Sequence, residues 1–304
     1  MTLTELRYIV MLAKEQHFGR AAERCFVSQP TLSIAVKKLE DELGIALFER
    51  TKSRVHPTPI GEQIVAQAQQ ILEQTSSIKD LASSGKNQLT SPLSVGAIFT
   101  IGPYLFPHLI PQLRSIAHDM PLLIEEGFTA DLRKRLRNGD LDVVILSLPF
   151  NEPDVVTQPL YEEPFVVLLP TSHPLGKQKL IKAADLEKEN VLMLGEGHCF
   201  RDQVLEMCPT LRKPMEDNKS PIRTAAEGSS LETLRHMVAS GLGVTILPYS
   251  ATLNTQYSEG ALITRRFEAP APARTVALAW RASFPRHKAV DALRQAIQQC
   301  GLEF

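Results

Sequence analysis

The 304-residue sequence is poor in three features that would narrow its class at once. It has only four cysteines, Cys25, Cys199, Cys208 and Cys300, too few and too scattered for a disulfide-stapled scaffold. No apolar run approaches the roughly 18 residues of a membrane-spanning helix, which argues against an integral membrane protein. Neither sign of charge dominates: 33 Lys and Arg stand against 34 Asp and Glu, a formal net charge of −1. The opening Met1-Thr-Leu-Thr-Glu-Leu-Arg also lacks the basic segment and apolar core of a secretory signal. The expectation is a cytoplasmic protein with no membrane partner, whose cysteines rest as thiols and in which any disulfide is regulatory. With 43% hydrophobic and 22% charged residues the composition is that of an ordinary globular chain, and its length fits two or three domains.

The first sixty residues carry a helix-turn-helix pattern. Leu6, Ile9, Val10, Leu12 and Ala13 have helical spacing, and a short helix follows around Gly19 to Cys25, where Cys25 faces inward with Ala21 and Ala22. Ser28 is a natural N-cap, Pro30 fits a first turn, and Leu32, Val36, Leu39 and Leu43 line one face up to a stop at Gly44. The opposite face offers Gln29, Thr31, Ser33, Lys37 and Lys38, a mixture of donors and acceptors suited to base edges and phosphates, with Pro30 at its head also expected at the DNA. Arg50, Lys52 and Arg54 then alternate through a two-stranded wing suited to phosphates or a minor groove. Residues 1 to 60 hold nine Lys or Arg against seven Asp or Glu, so one copy alone binds DNA weakly and several copies acting together are expected.

Thr58-Pro59 opens a long helix in which Ile60, Ile64, Ala68, Ile71, Thr75 and Ile78 recur at a period near 3.5. That is a coiled-coil seam, or else a helix packed on its own domain. Ser83 to Gln88 reads as a flexible joint. Beyond Pro92 strands and helices alternate: strands at Leu93 to Phe99, Leu122 to Glu125 and Val143 to Leu148, with helices at Tyr104 to Leu113 and Thr129 to Arg137. A second group of strands falls after Pro164, around Val191 and at Val244 to Leu247, with a capping box expected from Ser229 to Glu232. Chain from Phe267 onward returns to the first group. The fold class is therefore α plus α/β, with a largely parallel sheet in two subdomains.

Gly195-Glu-Gly-His-Cys-Phe-Arg-Asp-Gln-Val-Leu-Glu-Met-Cys is the most distinctive stretch. It reads as a strand end, a glycine turn and a short helix, so Cys199 falls at a helix N-terminus with His198 and Arg201 beside it. Unpaired amides and the helix dipole favour a thiolate there. Were the segment to Cys208 helical, nine residue steps would separate the Cα atoms by about 13 Å, while a disulfide needs less than about 7 Å. The pair closes only if the segment refolds, which is the logic of a redox switch; two small buried hydrophobes are the alternative. Thr100 and Thr129 also follow strands, where α/β sheets place ligand sites. Their hydroxyls suit hydrogen peroxide or a carboxylate, or serve as caps.

The run Phe18 to Ser33, the Leu39-Glu-Asp-Glu-Leu-Gly segment and Leu47-Phe-Glu-Arg resemble the N-terminal domain of LysR-type transcriptional regulators. The resemblance implies a winged helix-turn-helix over 1–58, a dimerising linker helix and hinge over 59–86, and a periplasmic-binding-protein-like regulatory domain over 87–304. Its subdomains are expected at about 87–161 with 268–304 and at 162–267, with hinges near Leu160 to Pro164 and Glu268 to Pro270. Phe99-Thr-Ile-Gly-Pro-Tyr-Leu, the Gly195 stretch, Cys208 and the Ser229 segment are similar to the hydrogen-peroxide-sensing branch of the family. That similarity implies a regulator of antioxidant defence genes rather than an enzyme, without metal or other cofactor. It makes Cys199 the peroxidatic and Cys208 the resolving cysteine, with Thr100, Thr129, Gly197, His198, Arg201 and Asp202 binding or assisting peroxide. Implied partners are double-stranded DNA, RNA polymerase, hydrogen peroxide, a thiol reductant, and further copies of the chain as a dimer or tetramer. A metabolite-sensing relative using the same cleft and a thiol peroxidase are the competing classes.

Overall fold

A computed structural model describes residues 1–50, 55–83, 88–209, 227–253 and 260–302. The chain divides into two units: residues 1–88 with 282–287, and residues 89–281 with 288–304.

The first unit contains α1 (Leu3–Glu15), α2 (Phe18–Arg24), α3 (Gln29–Leu43), an antiparallel pair β1 (Phe48–Arg50) and β2 (Val55–Pro57), and α4 (Pro59–Ser83). Thr2 and Glu5 form a capping box at the head of α1. The side chain of His17 accepts from the amides of Gly19 and Arg20 at the head of α2, and Ser28 caps α3, which ends at Gly44 with φ of +69°. Leu6, Ile9, Leu12, Ala21, Leu32, Val36 and Leu39 close one core, and Cys25 is half-buried at its margin. Leu43, expected on the apolar stripe, is exposed, because the last turn of α3 runs past that core.

The seam expected along α4 is partly packed and partly exposed. Ala68 is buried against the unit's own core, and Ile64, Val65 and Leu72 pack beside it. Ile60, Ile71 and Ile78 are exposed. At 100° per residue these three isoleucines fall within about 20° of one another, at the margin of the packed face, where Ile64 is only about 20° from Ile71. The expected seam is thus one face of the helix, spanning about 80°, with one margin packed on the core and the other exposed. The flexible joint expected at Ser83 to Gln88 lies mostly outside the described residues.

The second unit contains β3 (Leu93–Ile98), α5 (Gly102–Ile116), β4 (Leu122–Gly127), α6 (Thr129–Arg137), β5 (Val143–Ser147), β6 (Val155–Pro170), β7 (Leu180–Ile181), β8 (Val191–Leu194), α7 (Cys199–Met207), β9 (Glu227–Gly228), α8 (Leu231–Ala239), β10 (Val244–Pro248), β11 (Leu262–Phe267), β12 (Ala273–Arg281) and α9 (His287–Gln298). Strand order is β4-β3-β5-β12-β6-β10-β8-β9, with β11 pairing β6 and β7. The sheet is mixed rather than largely parallel. β3 is parallel to β4 and β5, and β8 to β9 and β10, but β12 is antiparallel to β5 and β6, and β6 to β10 and β11.

The cause is β6, a strand of 16 residues. Its first part pairs with β12 and its last residues with β10 and β11, so it belongs to both halves of the unit. Leu160 to Pro164, expected as a hinge, lies within this strand, and the register shifts opposite it between Val276 and Ala277. Pro159 is accommodated at that irregularity, where a ladder donor is not needed. The helix expected to be capped by Ser229 is capped by Ser230, whose side chain accepts from the Thr233 amide. Glu232 is instead used by Arg235 and the Tyr104 hydroxyl. Among the described residues no helix is long and apolar enough to cross a membrane.

Candidate functional site

The strand ends of the second unit bring distant residues to one small cavity. Ile98, Phe99 and Thr100 come from the end of β3; Gly127, Phe128 and Thr129 from the end of β4; Gly197, His198 and Cys199 from the turn between β8 and α7. Its volume is about 10 Å³, close to the minimum that admits one water-sized molecule.

Cys199 is the first residue of α7 and half-buried. Gly197 holds φ of +91°, which glycine adopts without the steric cost borne by other residues. His198 is the buried N-cap residue of α7, and its ring hydrogen-bonds to the backbone of Ser229. Burial pushes the imidazole pKa below its ordinary value, which favours the neutral ring. Neither threonine is a cap. The N-cap of α5 is Ile101 and that of α6 is Phe128. Thr100 is buried, and its hydroxyl accepts from Arg274 Nη1 at 2.8 Å. Thr129 lines the cavity, and its Oγ1 is buried with no hydrogen-bond partner among the described residues.

Three other expected site residues do not line this cavity. Arg201 Nη1 donates to the Leu194 carbonyl at 2.8 Å and so ties the turn to β8. Asp202 is exposed on the first turn of α7. Cys208 is buried as the C-cap of α7, its amide donating to the Val204 carbonyl. Burial, with a contribution from Glu187, pushes its thiol pKa up. The two thiols therefore mark opposite ends of one helix, about 13 Å apart by helical rise.

Behind the cavity lies an ion pair not anticipated from the sequence. Arg274 Nη2 is 2.8 Å from Glu163 Oε2, with side chains 0% and 1% exposed. Arg274 Nη2 also donates to the Thr100 carbonyl, and Glu163 Oε1 accepts from the Ser250 amide. The guanidinium carbon lies 5.5 Å from the centroid of Phe200 on α7. Gln203 Nε2 donates to Ser147 Oγ at 2.7 Å, joining α7 to the end of β5. Phe99 and Phe128 were also missed, although a signal was present: the dipeptide Phe-Thr recurs at 99–100 and 128–129, at the ends of two neighbouring parallel strands.

In the first unit Gln29, Pro30, Thr31, Lys37 and Lys38 are exposed on α3, and Ser33 is half-buried. Lys38 is ion-paired to Glu5 of α1 at 3.3 Å, and the Thr31 hydroxyl is hydrogen-bonded to that of Ser28. Phe26, in the turn before α3, and Ile34 on the helix are exposed apolar side chains beside this face. Arg50 ends β1; Lys52 and Arg54 lie outside the described residues.

A helix-turn-helix with a following strand pair, succeeded by an α/β unit with a small pocket at its strand ends, defines a class. Residues 3–62 match the bacterial regulatory helix-turn-helix protein of the lysR family, and residues 86–301 match the LysR substrate binding domain. The chain belongs to the LysR family of regulators. It is 38% identical over 298 residues to the DNA-binding transcriptional dual regulator OxyR of Escherichia coli (strain K12), covering 98% of this chain and 95% of that one. Among solved structures it is similar to full-length OxyR C199D from Pseudomonas aeruginosa, at 60% identity and a TM-score of 0.84, covering 99% of this chain and 96% of the other. It also resembles an H2O2-bound OxyR mutant of Corynebacterium glutamicum, at 31% identity and a TM-score of 0.62, covering 98% and 92%.

Proposed function

We propose that this chain is a hydrogen-peroxide-sensing, DNA-binding transcriptional regulator of antioxidant defence genes, switched by oxidation of Cys199 and a disulfide from Cys199 to Cys208. The observation that carries the reading is the cavity lined by both Cys199 and Thr129, whose hydroxyl has no partner among the described residues. Its small volume disfavours a metabolite, since pockets for such ligands run to roughly 300 Å³ or more.

The Cys199 thiolate attacks one peroxide oxygen, the O–O bond breaks, and hydroxide leaves with the Thr129 hydroxyl as hydrogen-bond donor. The hydroxide takes up a proton to become water, and a sulfenic acid remains on Cys199. The Cys208 sulfur then attacks the Cys199 sulfur, the S–O bond breaks, and a second water departs. Two thiols have been oxidised by two electrons and one peroxide reduced. Closing the bond requires α7 to unwind, which withdraws Phe200 and Val204 from the core. A thiol reductant resets the switch.

At the other end of the chain, the exposed face of α3 meets double-stranded DNA through Gln29, Pro30, Thr31, Ser33 and Lys37, with Arg50 and Arg54 on phosphates; Phe26 and Ile34 suit thymine methyl groups. Lys38 contributes charge while held by Glu5. The exposed isoleucines of α4 support a homodimer through this helix, and paired dimers a tetramer that meets RNA polymerase. The test is peptide mapping by mass spectrometry after near-stoichiometric peroxide treatment of the reduced protein. A Cys199–Cys208 disulfide that is lost in Cys199→Ser supports the reading; unmodified thiols overturn it.

A further inference from the structure

We infer that Phe99 and Phe128 are specificity-determining residues, forming an aromatic mouth that admits hydrogen peroxide to Cys199 and turns away organic hydroperoxides. The inference rests on the peroxide reading above. Both residues line the cavity, and both are 36% exposed, so each reaches solvent as well as the cavity. They meet edge to face, with centroids 5.2 Å apart and planes at 79°. The His198 ring completes the group at 4.8 Å from Phe128 and 6.0 Å from Phe99. A Cβ at position 197 would lie 3.3 Å from the Phe128 ring, so Gly197 leaves the ring its place as well as supplying the turn.

The rings are fixed from below. Phe99 and Phe128 immediately follow the paired strands β3 and β4, and Phe128 is the N-cap residue of α6. The cavity they line is about 10 Å³ and is also lined by Thr100, Thr129 and Cys199.

Chemistry then sets the discrimination. Displacement at an O–O bond needs the sulfur, the attacked oxygen and the leaving oxygen close to a line. In hydrogen peroxide the leaving oxygen carries only hydrogen. In an organic hydroperoxide it carries the alkyl group, which must point back from the sulfur toward the place where the rings meet. The sulfenic acid forms in both cases, with water or an alcohol as the other product.

The experiment compares the reduced full-length protein with Phe128→Ala, and with Phe128→Leu and Phe99→Leu as milder replacements. Second-order rates of Cys199 oxidation by hydrogen peroxide and by cumene hydroperoxide are read by rapid thiol alkylation and mass spectrometry. Thermal unfolding checks that each variant is folded. The expected result is a rise of about tenfold or more in the ratio of the organic to the hydrogen peroxide rate in Phe128→Ala, with smaller rises in the leucine variants. A ratio unchanged in all three, or equal changes in both rates, overturns the inference while leaving the sensor reading intact. If hydrogen peroxide fails to oxidise Cys199 in the wild-type protein, the sensor reading falls and the inference with it.

Discussion

Glu163→Ala is the perturbation whose cost follows most directly from the structure. The change removes the carboxylate facing Arg274, whose side chain is 0% exposed, and leaves the Ser250 amide without its acceptor. Breaking one side of a buried ion pair costs about 3–5 kcal/mol, because the remaining charge stays buried without compensation. At a urea slope of about 3 kcal/mol/M, the midpoint falls by roughly 1 M or more. Trp280, the single tryptophan, lies on β12, the strand that carries Arg274, so its fluorescence reports the right unit. Glu163→Leu combined with Arg274→Met is expected to recover most of the stability, since apolar replacement of a whole buried pair is often neutral or better. It removes the anchor of Thr100, so Cys199 oxidation is expected to be slower in the double variant than in the wild type. A cost below about 1 kcal/mol for Glu163→Ala would refute the reasoning, because that is the range of solvent-exposed pairs.

Three further outcomes are expected. Gln203→Ala deletes the bond from α7 to Ser147, a loss of about 0.5–1.5 kcal/mol from the docked helix; disulfide yield at limiting peroxide, read by mass spectrometry, rises relative to wild type. For His198, burial holds the folded pKa below 6.5, so on acidification the unfolded chain takes up its proton first and stability falls. The contribution is complete above pH 6.5 and declines as pH drops from there toward the lowered folded value; His198→Asn flattens that part of a denaturation-versus-pH profile, and an unchanged profile counts against a buried neutral ring. Ile71→Asp places a carboxylate in the exposed stripe of α4 and is expected to weaken self-association in sedimentation velocity; an unaltered distribution of species would exclude that stripe as the contact.

What was legible depended on how the residues are spaced. The Gly195 to Cys208 stretch is contiguous, so a strand end, a turn and a helix N-terminus could be read together, and Cys199 opens α7 as the pattern suggests. Thr100 and Thr129 were reachable because ligand sites form at strand ends. Arg274 and Glu163 were not: they are 111 positions apart, and charged side chains are rarely buried unless paired, a pairing that one sequence does not display. The mixed sheet was hidden because a strand was expected only after Pro164, which lies inside a continuous β6. On α4, Ala68 and Ile71 both fit a period near 3.5, and only the packed core separates the stripe facing inward from the one left exposed.

In the mechanism proposed above, the thiols at opposite ends of α7 also set a clock. A sulfenic acid on Cys199 cannot be captured until the helix between it and Cys208 opens, and during that wait small cellular thiols compete for it. A brief pulse of oxidant is erased before the chain commits, whereas a sustained one keeps renewing the sulfenic acid until an opening is caught. The length of one helix thus works as a filter in time, so that the regulator responds to how long an oxidant persists as well as to how much of it there is.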